Sequence, residues 1–112
     1  MLFLGYLTKE GGKGFFRNWK RRWCVLDPDQ AALRYYETTD TSKQPNGVVL
    51  LEGTEVKTIP KSERGKDNCL MISGPNRTFY AYADSADEIN SWVTAIQEVF
   101  EIIKLDSIFI LP

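Results

Sequence analysis

Asn18-Trp19-Lys20-Arg21-Arg22-Trp23-Cys24-Val25-Leu26 is the stretch on which the fold turns. Alternation along it puts Lys20, Arg22, Cys24 and Leu26 on one face and Trp19, Arg21, Trp23 and Val25 on the other, the period of a β-strand. Upstream, residues 2–9 alternate in the same way, with Phe3, Gly5 and Leu7 on one parity and Leu4, Tyr6 and Thr8 on the other. Glu10-Gly11-Gly12-Lys13-Gly14 stands between the two with three glycines, a turn signal. The two runs therefore predict an antiparallel hairpin.

Moving outward, Asp27-Pro28-Asp29-Gln30 is a turn and residues 31–37, with Leu33, Tyr35 and Tyr36, are a third strand. A polar loop over residues 38–46 closes at Pro45-Asn46-Gly47. Strands are expected over residues 48–51, 55–59, 68–73 and 77–83, with a charged loop at 60–66 and a turn at Gly74-Pro75-Asn76. Then the period changes. Ser85 and Glu88 form a capping box, and Asp84 and Asp87 add negative charge near a helix N-terminus. Ile89, Trp92, Val93, Ile96, Val99, Phe100 and Ile103 follow in steps of three and four, a single apolar stripe. The expected class is α+β: a bent seven-stranded antiparallel barrel or sandwich capped by one C-terminal amphipathic helix. Residues 1–103 form the domain and residues 104–112 an apolar C-terminal tail. That tail docks on its own domain, marks only the boundary at which the domain was cut, or is a strand-like peptide offered to a partner or neighbouring molecule.

The chain has 112 residues, 43% hydrophobic and 12% aromatic, which fits one packed domain and not a disordered segment. Its early strand pattern reads as a domain cut from something longer. The first residues lack the features of a signal peptide, and no apolar run is long enough to span a membrane. With no histidine and two cysteines, imidazole catalysis, a histidine metal site and a disulfide framework are all excluded. Cys24 and Cys69 are expected to be inert buried residues in a reducing compartment. No cofactor, metal or catalytic group is expected.

The net charge of -1 conceals strong polarity. Residues 9–22 hold six bases (Lys9, Lys13, Arg17, Lys20, Arg21, Arg22) against Glu10 alone, a charge of +5, while the remainder holds eight bases and fourteen acids, or -6. Such a field draws a polyanion to one place, and the acidic remainder argues against nucleic acid.

Gly5-Tyr6-Leu7-Thr8-Lys9-Glu10-Gly11-Gly12 followed by residues 18–26 closely resembles the opening hairpin of pleckstrin-homology domains. Residues 33–36 resemble that family's third strand, and residues 77–85 its seventh strand and helix start. Trp92 stands where the family has a nearly universal helix tryptophan. The resemblance covers about residues 3–100 and is nearest to members that bind 3-phosphorylated phosphoinositides. It implies that Lys9 and Arg22 contact the 3-phosphate, and that Tyr35 and Lys43 reach the 4-phosphate. Asn46 stands near a position that is basic in some trisphosphate binders, and no histidine is available for a 5-phosphate. Lys13 and Arg17 are the candidate headgroup-binding cations for that missing charge, so the 3,4-bisphosphate and the 3,4,5-trisphosphate both remain open.

The residue chemistry points the same way. A phosphomonoester presents several acceptor oxygens; an arginine such as Arg22 meets two at once, while Lys9, Lys43 and Lys20 act as movable point charges. Gly11 and Gly12 allow the backbone to bend around a headgroup and offer N–H donors. Arg21, on the opposite parity, is assigned to a surface pair or a secondary membrane contact. Phe15 and Phe16, flanked by Lys13 and Arg17, suit insertion into a membrane interface, with stapling of the hairpin turn as the alternative. Trp19 and Trp23 are assigned to packing. The expected function is thus a cytoplasmic, peripheral membrane-recruitment module for phosphoinositides, not an enzyme. The alternative is a protein-interaction domain of the same fold without specific lipid binding.

Overall fold

In a computed structural model, which describes residues 2–11 and 18–110 (for 109 and 110 the backbone alone), the hairpin forms as alternation requires. β1 (Phe3–Gly11) and β2 (Asn18–Asp27) pair antiparallel from Phe3↔Leu26 to Gly11↔Asn18. The chain continues through β3 (Ala32–Tyr36), β4 (Gly47–Leu50), β5 (Glu55–Ile59), a single helical turn α1 (Lys61–Arg64), β6 (Cys69–Ser73), β7 (Thr78–Tyr82) and α2 (Ala86–Ile110). All pairings are antiparallel, in the order β4-β3-β2-β1-β7-β6-β5.

That sheet must bend over on itself. Three strand boundaries separate β3 from β7, yet the rings of Tyr35 and Phe79 lie 5.8 Å apart. The inward row of each strand supplies one common core: Leu7 from β1, Cys24 and Leu26 from β2, Leu33 from β3, Val49 from β4, Leu70 and Ile72 from β6, Phe79 and Ala81 from β7. At the turn between β2 and β3, the Asp27 carboxylate accepts from the amides of Asp29 and Gln30 and from Arg34 Nη1. Burial disfavours its charge, but these donors outweigh that and hold its pKa below the usual carboxylate range.

α2 closes one end of the bent sheet. The Ser85 hydroxyl accepts from the Glu88 amide at 3.1 Å, so the expected cap is present. Ile89, Trp92, Ile96 and Val99 are buried in the core. Trp92 meets Phe3 edge-on, 4.6 Å between centroids. A Cβ at Gly5 would stand 3.3 Å from the Trp92 ring, so the missing side chain is what lets the indole lie against β1.

Three expectations are corrected. Residues 61–64, read as loop, form one helical turn ended by Gly65, which takes the left-handed conformation at φ 80° and donates to the Lys61 carbonyl. The glycine turn starts later than expected: Gly11 is extended strand opposite Asn18. The apolar tail is not strand-like, because α2 runs on to Ile110. Nor does it dock on its own domain over the part described, since Leu105 and Ile108 are 52% and 64% exposed. A run rich in β-branched residues is ambiguous by periodicity, and here the steps Ile102, Leu105, Ile108 continue a helical row.

Candidate functional site

Residues opposite one another in an antiparallel ladder share a face. Lys9 opposes Lys20, and Leu7 opposes Arg22. Because Leu7 is in the core, this face is the inward one, and the three cations form its continuation beyond the last buried side chain. Lys9 and Arg22 are diagonal neighbours, about 7–8 Å apart at the backbone. Arg22 Nη1 donates to the Arg21 carbonyl at 3.1 Å, which leaves most of its guanidinium donors for another partner.

Tyr35 opposes Cys24 and so shares the same face. The Lys9 ammonium lies 4.5 Å from the centroid of its ring, a cation–π contact that holds the lysine at the mouth of the sheet. Tyr35 itself is buried, and its hydroxyl accepts from Arg77 Nη2 at 2.9 Å, keeping its own proton to donate. Arg77 Nη1 in turn donates to the Val48 carbonyl at 3.0 Å. Gly47 permits this arrangement by close approach, since a Cβ there would overlap the Tyr35 hydroxyl.

Arg77 and Gly47 were not singled out as site residues from the sequence. Arg77 touches a residue 42 positions away, which no local pattern encodes. The only advance signal was a cation at the start of a strand just after the Gly74-Pro75-Asn76 turn.

The remaining expected residues divide clearly. Lys43 is exposed in the turn between β3 and β4, its amide donating to the Asp40 carbonyl at 3.4 Å. The Asp40 carboxylate is occupied by Ser42, whose hydroxyl and amide both donate to it and hold its pKa low. Gly12, Lys13, Phe15, Phe16 and Arg17 lie outside the described residues. Arg21, on the outer face, stacks over Tyr6 at 4.2 Å and pairs with Asp84 at 3.5 Å, the surface pair its parity implied. Trp19 and Trp23 meet Tyr82 and Tyr6 edge-on across the outer surface. Glu10, the one acid of the basic stretch, stands 4.0 Å from Arg64. Among the described residues, no ion pair engages Lys9, Lys20, Arg22 or Lys43. The mouth is cationic and not closed by carboxylates from those residues.

Cys24 adjoins this face from the core side, its thiol donating to the Arg22 carbonyl at 3.6 Å, whereas Cys69 stands on β6. Both are buried and unpaired, and burial pushes the Cys24 thiol up to about 12 and the Cys69 thiol up to about 11. Among the described residues there is no group of three or more potential metal ligands, and no helix long and apolar enough to cross a membrane.

A bent seven-stranded antiparallel sheet closed by one long C-terminal helix defines a pleckstrin-homology type of fold. The chain belongs to the PH domain family, whose pattern matches residues 1–101. Human Src kinase-associated phosphoprotein 1 is 35% identical over 97 residues, 82% of this chain and 26% of that protein. The mouse dual adapter for phosphotyrosine and 3-phosphotyrosine and 3-phosphoinositide is 30% identical over 94 residues, 83% of this chain and 31% of that protein. The chain thus spans about a quarter to a third of the length of these relatives. Among solved structures, the C-terminal PH domain of pleckstrin in complex with D-myo-Ins(1,2,3,5,6)P5 superposes with a TM-score of 0.74 at 28% identity, covering 87% of this chain and 92% of that one.

Proposed function

We propose that this domain recruits its parent protein to membranes by binding 3-phosphorylated inositol lipids, the 3,4-bisphosphate, the 3,4,5-trisphosphate or both. The observation that carries this reading is the placement of Lys9, Lys20 and Arg22 on one inward face beside Tyr35, with no carboxylate of the described residues paired to them. The similarity to a pleckstrin domain complexed with an inositol pentakisphosphate, and to an adapter whose name includes 3-phosphoinositide, supports the same ligand class.

The mechanism follows from the side chains. The +5 stretch steers the domain to an anionic surface, an effect that falls with salt. Arg22 meets two phosphate oxygens in its planar fork, while the Lys9 and Lys20 ammonium groups neutralise charge from the same face. Lys43 approaches from the neighbouring turn. Tyr35 donates its single proton, and the N–H groups of Gly11 and Gly12 add neutral donors. Phe15 and Phe16 then enter the headgroup boundary while Lys13 and Arg17 hold anionic lipid, each cation contributing about 1 kcal/mol near such a surface. The parent protein is a cytoplasmic, peripherally recruited one on this reading, and the domain binds without catalysing.

The test is sedimentation with vesicles from a phosphoinositide panel at physiological salt. Retention on vesicles bearing 3,4-bisphosphate or 3,4,5-trisphosphate, above that on 4,5-bisphosphate or phosphatidylserine alone, is the expected result. Equal weak retention on all anionic vesicles would refute it. A protein partner is the second reading, favoured by the exposed Leu105 and Ile108 on the extension of α2.

A further inference from the structure

β1 is held on both sides only as far as Lys9. Its ladder to β2 reaches Gly11, but its ladder to β7 consists of Thr8↔Tyr82 and Lys9↔Ala81 and stops there. One more step would set Glu10 opposite Tyr80. At that point Arg64 comes in from α1: its guanidinium lies 4.0 Å from the centroid of the Tyr80 ring, and its Nη1 is 4.0 Å from Glu10 Oε1.

This pair is as enclosed as Arg34–Asp27, whose side chains are 27% and 18% exposed, and more so than Arg21–Asp84. The side chains of Arg64 and Glu10 are 25% and 15% exposed, against 55% and 67% for Arg21 and Asp84. Reduced contact with water makes a charge pair stronger and more exacting than a surface one. Arg64 Nε is buried without a hydrogen-bond partner, a cost accepted to keep the guanidinium in this position. Gly65 helps set the geometry, because its left-handed conformation ends α1 immediately after Arg64.

We propose that Arg64 is a positioning residue for the ligand-binding arm: through Glu10 and Tyr80 it ties β1 to the rest of the sheet where pairing with β7 ends, and so fixes the backbone that directs Lys9 and Gly11. Lys9 and Glu10 are adjacent and point to opposite faces, so a tie on the outer face sets the lysine on the inner one. The role deepens the lipid-binding reading, and its ligand arm rests on that reading.

The experiment compares Arg64→Gln, Glu10→Gln and the double variant by amide hydrogen exchange and by titration with soluble inositol 1,3,4,5-tetrakisphosphate. In Arg64→Gln the Glu10 and Gly11 amides should exchange about tenfold faster while Leu70, in the β6 core, is unchanged, the pattern of a local opening. Headgroup affinity should fall roughly three- to tenfold, and adding Arg64→Gln to Glu10→Gln should cost nothing further, because coupled residues are non-additive. Arg64→Lys, which keeps charge but loses the planar stack on Tyr80, should recover part of the loss. Wild-type exchange at Gly11 in Arg64→Gln, or a double variant whose loss is the product of the two singles, would overturn the proposal. Should Arg64→Gln fail to fold, Arg64→Lys decides the matter at the same Gly11 amide: exchange faster than wild type supports the tie and wild-type exchange overturns it. If the wild-type domain binds no headgroup, the functional reading fails while the exchange arm still judges the tie.

Discussion

Along β1 the inward-facing row reads Phe3, Gly5, Leu7, Lys9, Gly11, and along β2, in the same direction, Leu26, Cys24, Arg22, Lys20. At the end covered by α2, Phe3 and Gly5 lie against Trp92. Lys9, about 13 Å beyond Gly5 along the strand, rests on the ring of Tyr35 with no carboxylate of the described residues paired to it. The backbone is the same at both ends. What differs is whether the sheet has been covered, and a side chain's chemistry tracks that cover: apolar where α2 supplies a lid, cationic where it does not. The covered end carries the core, and the uncovered end carries the cations of the proposed site.

This contrast can be broken from either side. The largest effect belongs to Arg22→Ala, expected to abolish binding to vesicles carrying 3-phosphorylated lipids while thermal unfolding stays near wild type. Affinity retained within about twofold, well under 1 kcal/mol, would remove Arg22 from the site. Trp92→Ala is its mirror image, costing about 3–5 kcal/mol of stability by urea denaturation with binding lost only through unfolding. Gly47→Ala sits between the two ends. It displaces Tyr35, so it should lower stability by about 1–3 kcal/mol and also weaken headgroup binding.

A smaller and more selective change is expected from Phe15→Ser with Phe16→Ser, which should weaken vesicle binding several-fold and spare soluble inositol phosphate; equal loss of both would assign the pair to folding instead. The smallest effect is at the cysteines. With both thiols raised well above their ordinary value of 9.0 by burial, iodoacetamide at pH 8 should leave native Cys24 and Cys69 unlabelled by mass spectrometry. The raised folded-state values also mean that any stability tied to the neutral thiols is intact below pH 9 and declines as pH rises towards about 12.

How much of this could be read in advance differs between the same two regions. The hairpin, the cap at Ser85 and the α2 stripe were legible because each is encoded by neighbours at fixed spacing, and the strands fall within a residue or two of their expected limits. Even the division of Arg21 from Lys20 and Arg22 follows from parity alone. α1 was not legible, because a single turn leaves no periodic pattern and depends on Gly65 and on what Arg64 finds across the sheet. The contact of Arg77 with Tyr35 and the clearance at Gly47 arise only once the sheet bends and brings β7 over β3 and β4. The tail misled because isoleucine clusters suit a strand, whereas the preceding turns of α2 were already formed and made extension of the helix the cheaper continuation.

Chemical-shift mapping of the isotopically labelled domain with inositol 1,3,4,5-tetrakisphosphate tests the central claim most directly. The account predicts that the largest perturbations fall on the amides of Lys9, Gly11, Lys20, Arg22 and Tyr35, with α2 silent. Perturbations centred on α2 or β5, or a hairpin that does not respond, would contradict it.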